Sequence, residues 1–152
     1  MATVIVAIGK LRPAIRAACD EYLVRLRRFD EVREVELREA PGSQSPAVQR
    51  RTEGARLLAA IPDRGLIVAL DRGGTAWTSE ALAAAAGRWR EGARPIALVL
   101  GGSTGLDEAV LARADFRWSL GPLTLPHELA RLVALEQWYR AGTILRGEKY
   151  HK

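Results

Sequence analysis

The sequence predicts an α/β fold, a mostly parallel sheet with helices on both faces, and three observations carry that prediction. Strand-like and helix-like apolar periodicities alternate along the whole chain, with no internal repeat. Two strand segments, GLIVAL (65–70) and PIALVL (95–100), are continuously apolar, as strands buried on both faces must be. The segments after Leu70, Leu100 and Leu120 are glycine loops, and in parallel sheets ligands sit beyond the carboxyl ends of the strands.

Taken in order, TVIVAIG (3–9) is a strand of β-branched residues. PAIRAACDEYLVRLRRF (13–29) opens with a proline suited to a first helical turn. It sets Ile15, Cys19, Tyr22, Leu23, Leu26 and Phe29 along one face, so Cys19 is expected in the core. VREVELRE (32–39) alternates like a half-buried strand, and APGSQSP (40–46) carries turn residues and is expected to be the mobile loop. A helix is expected over 48–61, a strand over 65–70, and a helix over 78–92 capped by Thr78 or Ser79. After the strand 95–100 come a short helix near 107–114, a strand 116–120, and a terminal helix from Pro126 to about Ala141.

Composition narrows the function. The chain has 152 residues, which predicts a single domain spanning 1–152 that must carry catalysis and recognition together. No apolar run approaches the roughly 20 residues that cross a bilayer, and the N-terminus reads as a strand rather than a signal peptide. A lone Cys19 allows no internal disulfide and points to a reducing, cytoplasmic setting. The net charge of +5 is compatible with nucleic acid as partner, although pairs such as Glu21 and Arg25 place many arginines on solvated helix faces.

The stretch ALVLGGSTGL (97–106) excludes two ligand classes. A dinucleotide fingerprint needs G-x-G-x-x-G in the first βαβ unit, and GGSTG has another spacing late in the chain. A P-loop needs lysine and a hydroxyl residue after its last glycine, whereas Leu106 and the anion Asp107 follow Gly105. The third loop, GPLTLPHELARL, mixes Gly121, Pro122 and Pro126 with Leu120, Leu123 and Leu125, a surface suited to a flat apolar guest or another subunit. A neutral base such as adenine fits that description.

The terminal helix is apolar almost all round through Leu129, Leu132, Val133, Leu135, Trp138 and Tyr139, which predicts a homodimer packed across it. Glu136 and Arg140 stand at i,i+4, the spacing of a structural ion pair or of an active-site pair. His127 at the helix start either satisfies local hydrogen bonds or touches ligand. The tail residues Tyr150, His151 and Lys152 combine an aromatic, an imidazole and an amine, groups that stack on bases and contact phosphate.

LIVALDRGG, LVLGGSTGL, WSLGPLTLPHELARLVALEQWYRA and the ending YHK together resemble the small SPOUT-class methyltransferases that modify large-subunit ribosomal RNA at N3 of a pseudouridine, in a stem-loop facing the decoding region. The resemblance runs from VIVAIGKL to the last residues. It implies a C-terminal trefoil knot, a homodimer, and S-adenosylmethionine bound in a bent shape. The cofactor positions it implies are Leu70, Gly101, Leu120, Gly121, Pro122, Leu123, Thr124 and Leu125. In one departure, Thr75 follows Gly74 where the family often has lysine, with Arg72 the available basic substitute.

For the reaction the resemblance implies, the imide N3–H must lose its proton before nitrogen attacks the methyl in line. Alignment and a proton acceptor suffice, and no metal is required. The expected catalytic residues are Glu136, Arg140 and His127, with Glu136 either accepting the proton or orienting Arg140; Tyr150, His151 and Lys152 are expected on the RNA. The expected partners are a second copy and 23S rRNA within the assembled ribosome, with no membrane and no metal. Two rival readings are a SPOUT enzyme of other RNA specificity and a ribosome-assembly factor without activity.

Overall fold

A computed structural model describes residues 2–152. The elements are β1 (Ala2–Ile8), α1 (Pro13–Leu26), β2 (Glu31–Leu37), α2 (Pro46–Ala60), β3 (Leu66–Thr75), α3 (Ser79–Glu91), β4 (Ile96–Leu100), α4 (Glu108–Arg113), β5 (Phe116–Trp118) and α5 (His127–Leu145). The five strands form one sheet in the order β2-β1-β4-β3-β5, and every pairing is parallel.

Alternate side chains leave opposite faces of a strand, so each buried strand feeds two cores. Ile5, Ala7, Val68, Ile96 and Leu98 pack with α1, α3 and α5 around Cys19, Leu82 and Trp138. Val4, Val6, Ile8, Ile67, Ala97 and Val99 pack with α2 and α4 against Leu57 and Val110. This double burial explains the unbroken apolar runs of β3 and β4. The helices following β1 and β4 depart to opposite faces, so the carboxyl ends of these adjacent strands diverge and open a crevice between Gly9 and Gly101.

Local chemistry starts the helices. Ser45 accepts from Val48 N at 3.3 Å with Pro46 in the first turn, Thr78 accepts from Ala81 N at 3.1 Å, and Asp107 accepts from Ala109 N at 3.3 Å. Thr78 is therefore the cap of α3, and Asp107 serves α4.

Three boundaries differ from expectation. Helix α1 stops at Leu26, because Arg27 Nε donates to Val32 O at 3.0 Å and folds the chain into β2. Phe29 consequently lies 49% exposed beneath the Arg146 guanidinium rather than in the core. Strand β3 continues to Thr75 through a register shift in which Trp118 pairs with both Leu70 and Thr75, and Asp71–Gly74 bulge out. A Cβ on Gly74 would stand 2.5 Å from the Arg117 carbonyl carbon, so glycine is required there. Helix α5 runs past Ala141 to Leu145, with Leu135 and Trp138 buried and Val133 left exposed. Among the described residues no helix is long and apolar enough to cross a membrane.

Candidate functional site

The three glycine loops converge. The loop after β4 and the start of α5 face each other across a cleft of about 680 Å³ lined by Leu70, Arg72, Leu100 to Leu106, Thr124 to His127, and Ala130. A smaller chamber of about 110 Å³ continues it between Leu70, Trp118, Leu120, Gly121, Leu123 and Leu125. A third of about 330 Å³ lies beyond Leu120 and Gly121, toward Trp77, Val133 and Gln137. Seven of the eight expected cofactor positions line these chambers, and Pro122 is exposed and lines none of them.

The bareness of the second loop serves its turn. A Cβ on Gly101 would meet Gly105 O at 2.7 Å, one on Gly102 would meet Ile8 and Glu53 at 3.0 and 3.2 Å, and Gly105 has φ +84°. Gly102 and Gly105 bridge, and Arg50 donates to Thr104 O at 3.3 Å. The walls are mostly apolar side chains and bare backbone, which suit the adenosyl group of S-adenosylmethionine: side chains for the faces of the base, peptide groups for its edges.

His127 closes one end of the cleft. Its Nε2 is buried without a hydrogen-bond partner, 3.7 Å from Glu39 Oε1 and close to Gly9. The Glu39 side chain is 53% exposed, so the group lying against this nitrogen is a surface carboxylate. Arg72, in the β3 bulge, lines two chambers and has no ion-pair partner among the described residues.

Glu136 and Arg140 sit elsewhere on α5 and contact the tail. Glu136 Oε1 accepts from Arg140 Nε at 3.0 Å, Arg140 Nη2 at 2.7 Å and Tyr150 OH at 3.0 Å, while Oε2 accepts from Gln137 at 2.7 Å. That pairing holds the Arg140 guanidinium above its ordinary value. Burial, and hydrogen bonds with Tyr22 and Glu136, push the Tyr150 phenol well above its usual range. Arg140 lies 4.8 Å over the Tyr150 ring, whose edge meets Tyr139. His151 Nδ1 stands 3.2 Å from Arg140 Nη1 and Nε2 stands 2.8 Å from Glu80 Oε1. Arginine has only donors, so the contact with Arg140 uses Nδ1 as acceptor and leaves Nε2–H to donate to Glu80. The hydrogen bond with His151 lowers the Glu80 carboxyl. Lys152 is exposed at the end of this cluster.

Sequence reasoning passed over Glu39, Glu53 and Arg131. Arg131 is 1% exposed, and it donates to Gly9 O at 2.8 Å and Ile8 O at 3.4 Å while pairing with Glu36 and Glu34. Its signal was present: it follows His127 by four residues and shares its helix face. Glu53 is 4% exposed and accepts from Ala40 N at 2.9 Å, with its other oxygen beside Gly102. It occupies the apolar stripe of Leu57 and Ile61, where a carboxylate is out of pattern. Among the described residues no group of three or more His, Cys, Asp or Glu gathers to hold a metal.

A parallel sheet with an apolar cleft at its switch point defines a doubly wound α/β ligand-binding enzyme fold. The chain belongs to the SPOUT methyltransferase family: the family model described as a predicted SPOUT methyltransferase matches residues 1–151. It is thereby an S-adenosylmethionine-dependent methyltransferase. A protein of an Anaeromyxobacter species named ribosomal RNA large subunit methyltransferase H is 48% identical over 149 residues, covering 97% of each chain. A protein of the same name from Sorangium cellulosum is 44% identical over 153 residues, covering 99% of each. Among solved structures, a probable methylase family protein from Haemophilus influenzae superposes with a TM-score of 0.57 at 16% identity, covering 99% of this chain and 70% of that one. TrmJ from Z. mobilis superposes with a TM-score of 0.53 at 21% identity, covering 94% of this chain and 70% of that one. These two likenesses concern the fold alone.

Proposed function

We propose that this chain, as a homodimer of single-domain subunits 1–152 with a C-terminal trefoil knot, methylates N3 of a pseudouridine in 23S rRNA of the assembled ribosome. A ribosomal substrate puts the enzyme in the cytoplasm. The observation that carries the reading is the apolar switch-point cleft ending at His127, taken with relatives up to 48% identical that are named for large-subunit ribosomal RNA. Leu70, Gly101, Leu120, Gly121, Leu123, Thr124 and Leu125 hold S-adenosylmethionine, which supplies the electrophilic methyl group.

His127 accepts the N3 proton on Nδ1, and the Glu39 carboxylate, 3.7 Å from the sealed Nε2, steadies the imidazolium that forms. Glu136 is a poor acceptor, because Oε1 already takes three hydrogen bonds and Oε2 one. Its role is to hold Arg140 and to fasten Tyr150, which keeps the tail in place. Tyr150, His151 and Lys152 then present a stacking face, a ring and an amine to the RNA. Val133 and Leu123, exposed beside the chambers, are the apolar surface that a second subunit covers.

Mass spectrometry of rRNA from cells with and without the gene tests the reading. Loss of one methyl-pseudouridine is expected. An unchanged modification pattern, or equal activity of the purified protein on protein-free rRNA and on ribosomes, overturns it.

A further inference from the structure

Beyond His127 lies a second space. Gly9 lies against the His127 ring and opens onto a second groove of about 430 Å³, lined by Gly9, Lys10, Glu36, Leu37, Arg38 and Glu39. We infer that this groove binds the RNA strand flanking the target nucleotide, with Lys10 and Arg38 on its phosphodiesters. This rests on the RNA substrate proposed above.

Charge decides the occupant. Glu36 is ion-paired with the buried Arg131 and with Arg16, the latter at 3.1 Å, but the same two arginines also pair with Glu34 and Asp20, so this network keeps one surplus negative charge. Glu39 faces His127. Lys10 and Arg38 have no carboxylate partner among the described residues, nor does Arg56, whose guanidinium sits 2.6 Å from the Arg38 carbonyl. Three cations without carboxylate partners thus stand against two anions, Glu39 and the surplus carboxylate of that network, and the positive excess, with Lys10 and Arg38 at the groove itself, favours a phosphodiester backbone.

The groove is also rigid where it meets the cleft. Gly9 N donates to Leu37 O at 2.8 Å, Arg131 donates to Gly9 O at 2.8 Å, and Arg12 N donates to Glu128 at 2.6 Å. Gly9 has φ +97°, and a Cβ there would stand 2.7 Å from Glu39 Oε1. The Gly9 backbone between the His127 ring and the groove is thus held in place, and the groove lies next to a nucleotide held at His127.

The test compares wild type with the double substitution Lys10→Gln and Arg38→Gln on ribosomes from a strain lacking the modification. Expected are a KM for ribosomes raised by roughly tenfold or more, kcat within about twofold, and unchanged calorimetric affinity for S-adenosylmethionine. The slope of log KM against log salt should fall by about two, one per lost phosphate contact. Lys10→Arg with Arg38→Lys should restore both quantities. An unchanged KM and slope, or cofactor affinity falling in step with KM, overturns the inference. If wild type methylates no ribosome, the substrate reading fails by itself. The groove is then judged by sedimentation of both proteins with ribosomes across the same salt series, and equal binding overturns it.

Discussion

The cofactor cleft and the polar cluster at the end of α5 are built from the same helix and differ in one respect. The cleft is unfinished: among the described residues Arg72 and the enclosed His127 Nε2 lack partners, and Leu123 is 74% exposed. The cluster is complete, with both Glu136 oxygens, the Arg140 guanidinium and both His151 nitrogens occupied. Unpaired groups around a cavity mark where something else must bind, whereas a saturated network holds its own chain in place. An ion pair at i,i+4 and a histidine at a helix start look equally functional in sequence, and only the count of their partners separates them.

The largest effect should come from the unfinished side. Replacing His127 with Asn is expected to lower kcat by about a hundredfold or more, the usual scale for loss of a proton acceptor, with cofactor affinity within about twofold. A kcat near wild type would return the proton to Glu136 and erase the contrast. Next, Gly101→Ala forces a Cβ to 2.7 Å from Gly105 O, so the loop must shift. Calorimetry should show affinity for S-adenosylmethionine reduced by roughly tenfold, about 1.4 kcal/mol; retained affinity would remove this loop from the cofactor wall.

On the complete side the expected change is smaller and different in kind. Glu136→Gln leaves the shape but removes the charge that Arg140 and Tyr150 share, at a cost of about 1 kcal/mol for so partly exposed a pair. Hydrogen exchange over 149–152 should quicken, and cofactor affinity should stay. An equally protected tail would mean that the cluster is not its anchor.

The smallest effect at neutral pH, nil there and growing only in alkali, is a pH dependence far from either region. Burial pushes the Cys19 thiol up to about 11, so the folded state retains a proton that the unfolded chain releases near its ordinary value of about 8.5. Stability from this group is intact below that value and falls as pH rises from about 8.5 toward 11. Thiol labelling at pH 8 should be slow until denaturant unfolds the chain. Rapid labelling of the native protein would contradict a sealed core on this face.

How far the sequence carried follows from the range of each interaction. The unbroken runs of β3 and β4, the proline start of α1, and a cap of α3 at Thr78 or Ser79 were legible because neighbours in the chain settle them, whereas Pro46 was read as loop and starts α2. The bulge at Asp71–Gly74 was not, because it depends on how Trp118 pairs across the sheet. Family motifs pointed to seven of the cleft residues. Arg131 and Glu53 were hidden by residue type: a charged side chain is ordinarily solvated, and only tertiary packing shows that these two are enclosed and partnered.

By itself, then, the sequence determined the alternation of strands and helices, the double burial of the central strands and the glycine turns at their ends. These are repeats of period two or 3.6 and steric needs of single residues, so they are written locally. The tertiary structure decided that His127 closes the cleft beside Gly9, and that Arg131 reaches the Gly9 carbonyl 122 residues away. It also decided that Lys10 and Arg38 border one groove. Such meetings depend on the order and twist of the sheet, which bring distant segments together without leaving any period in the chain.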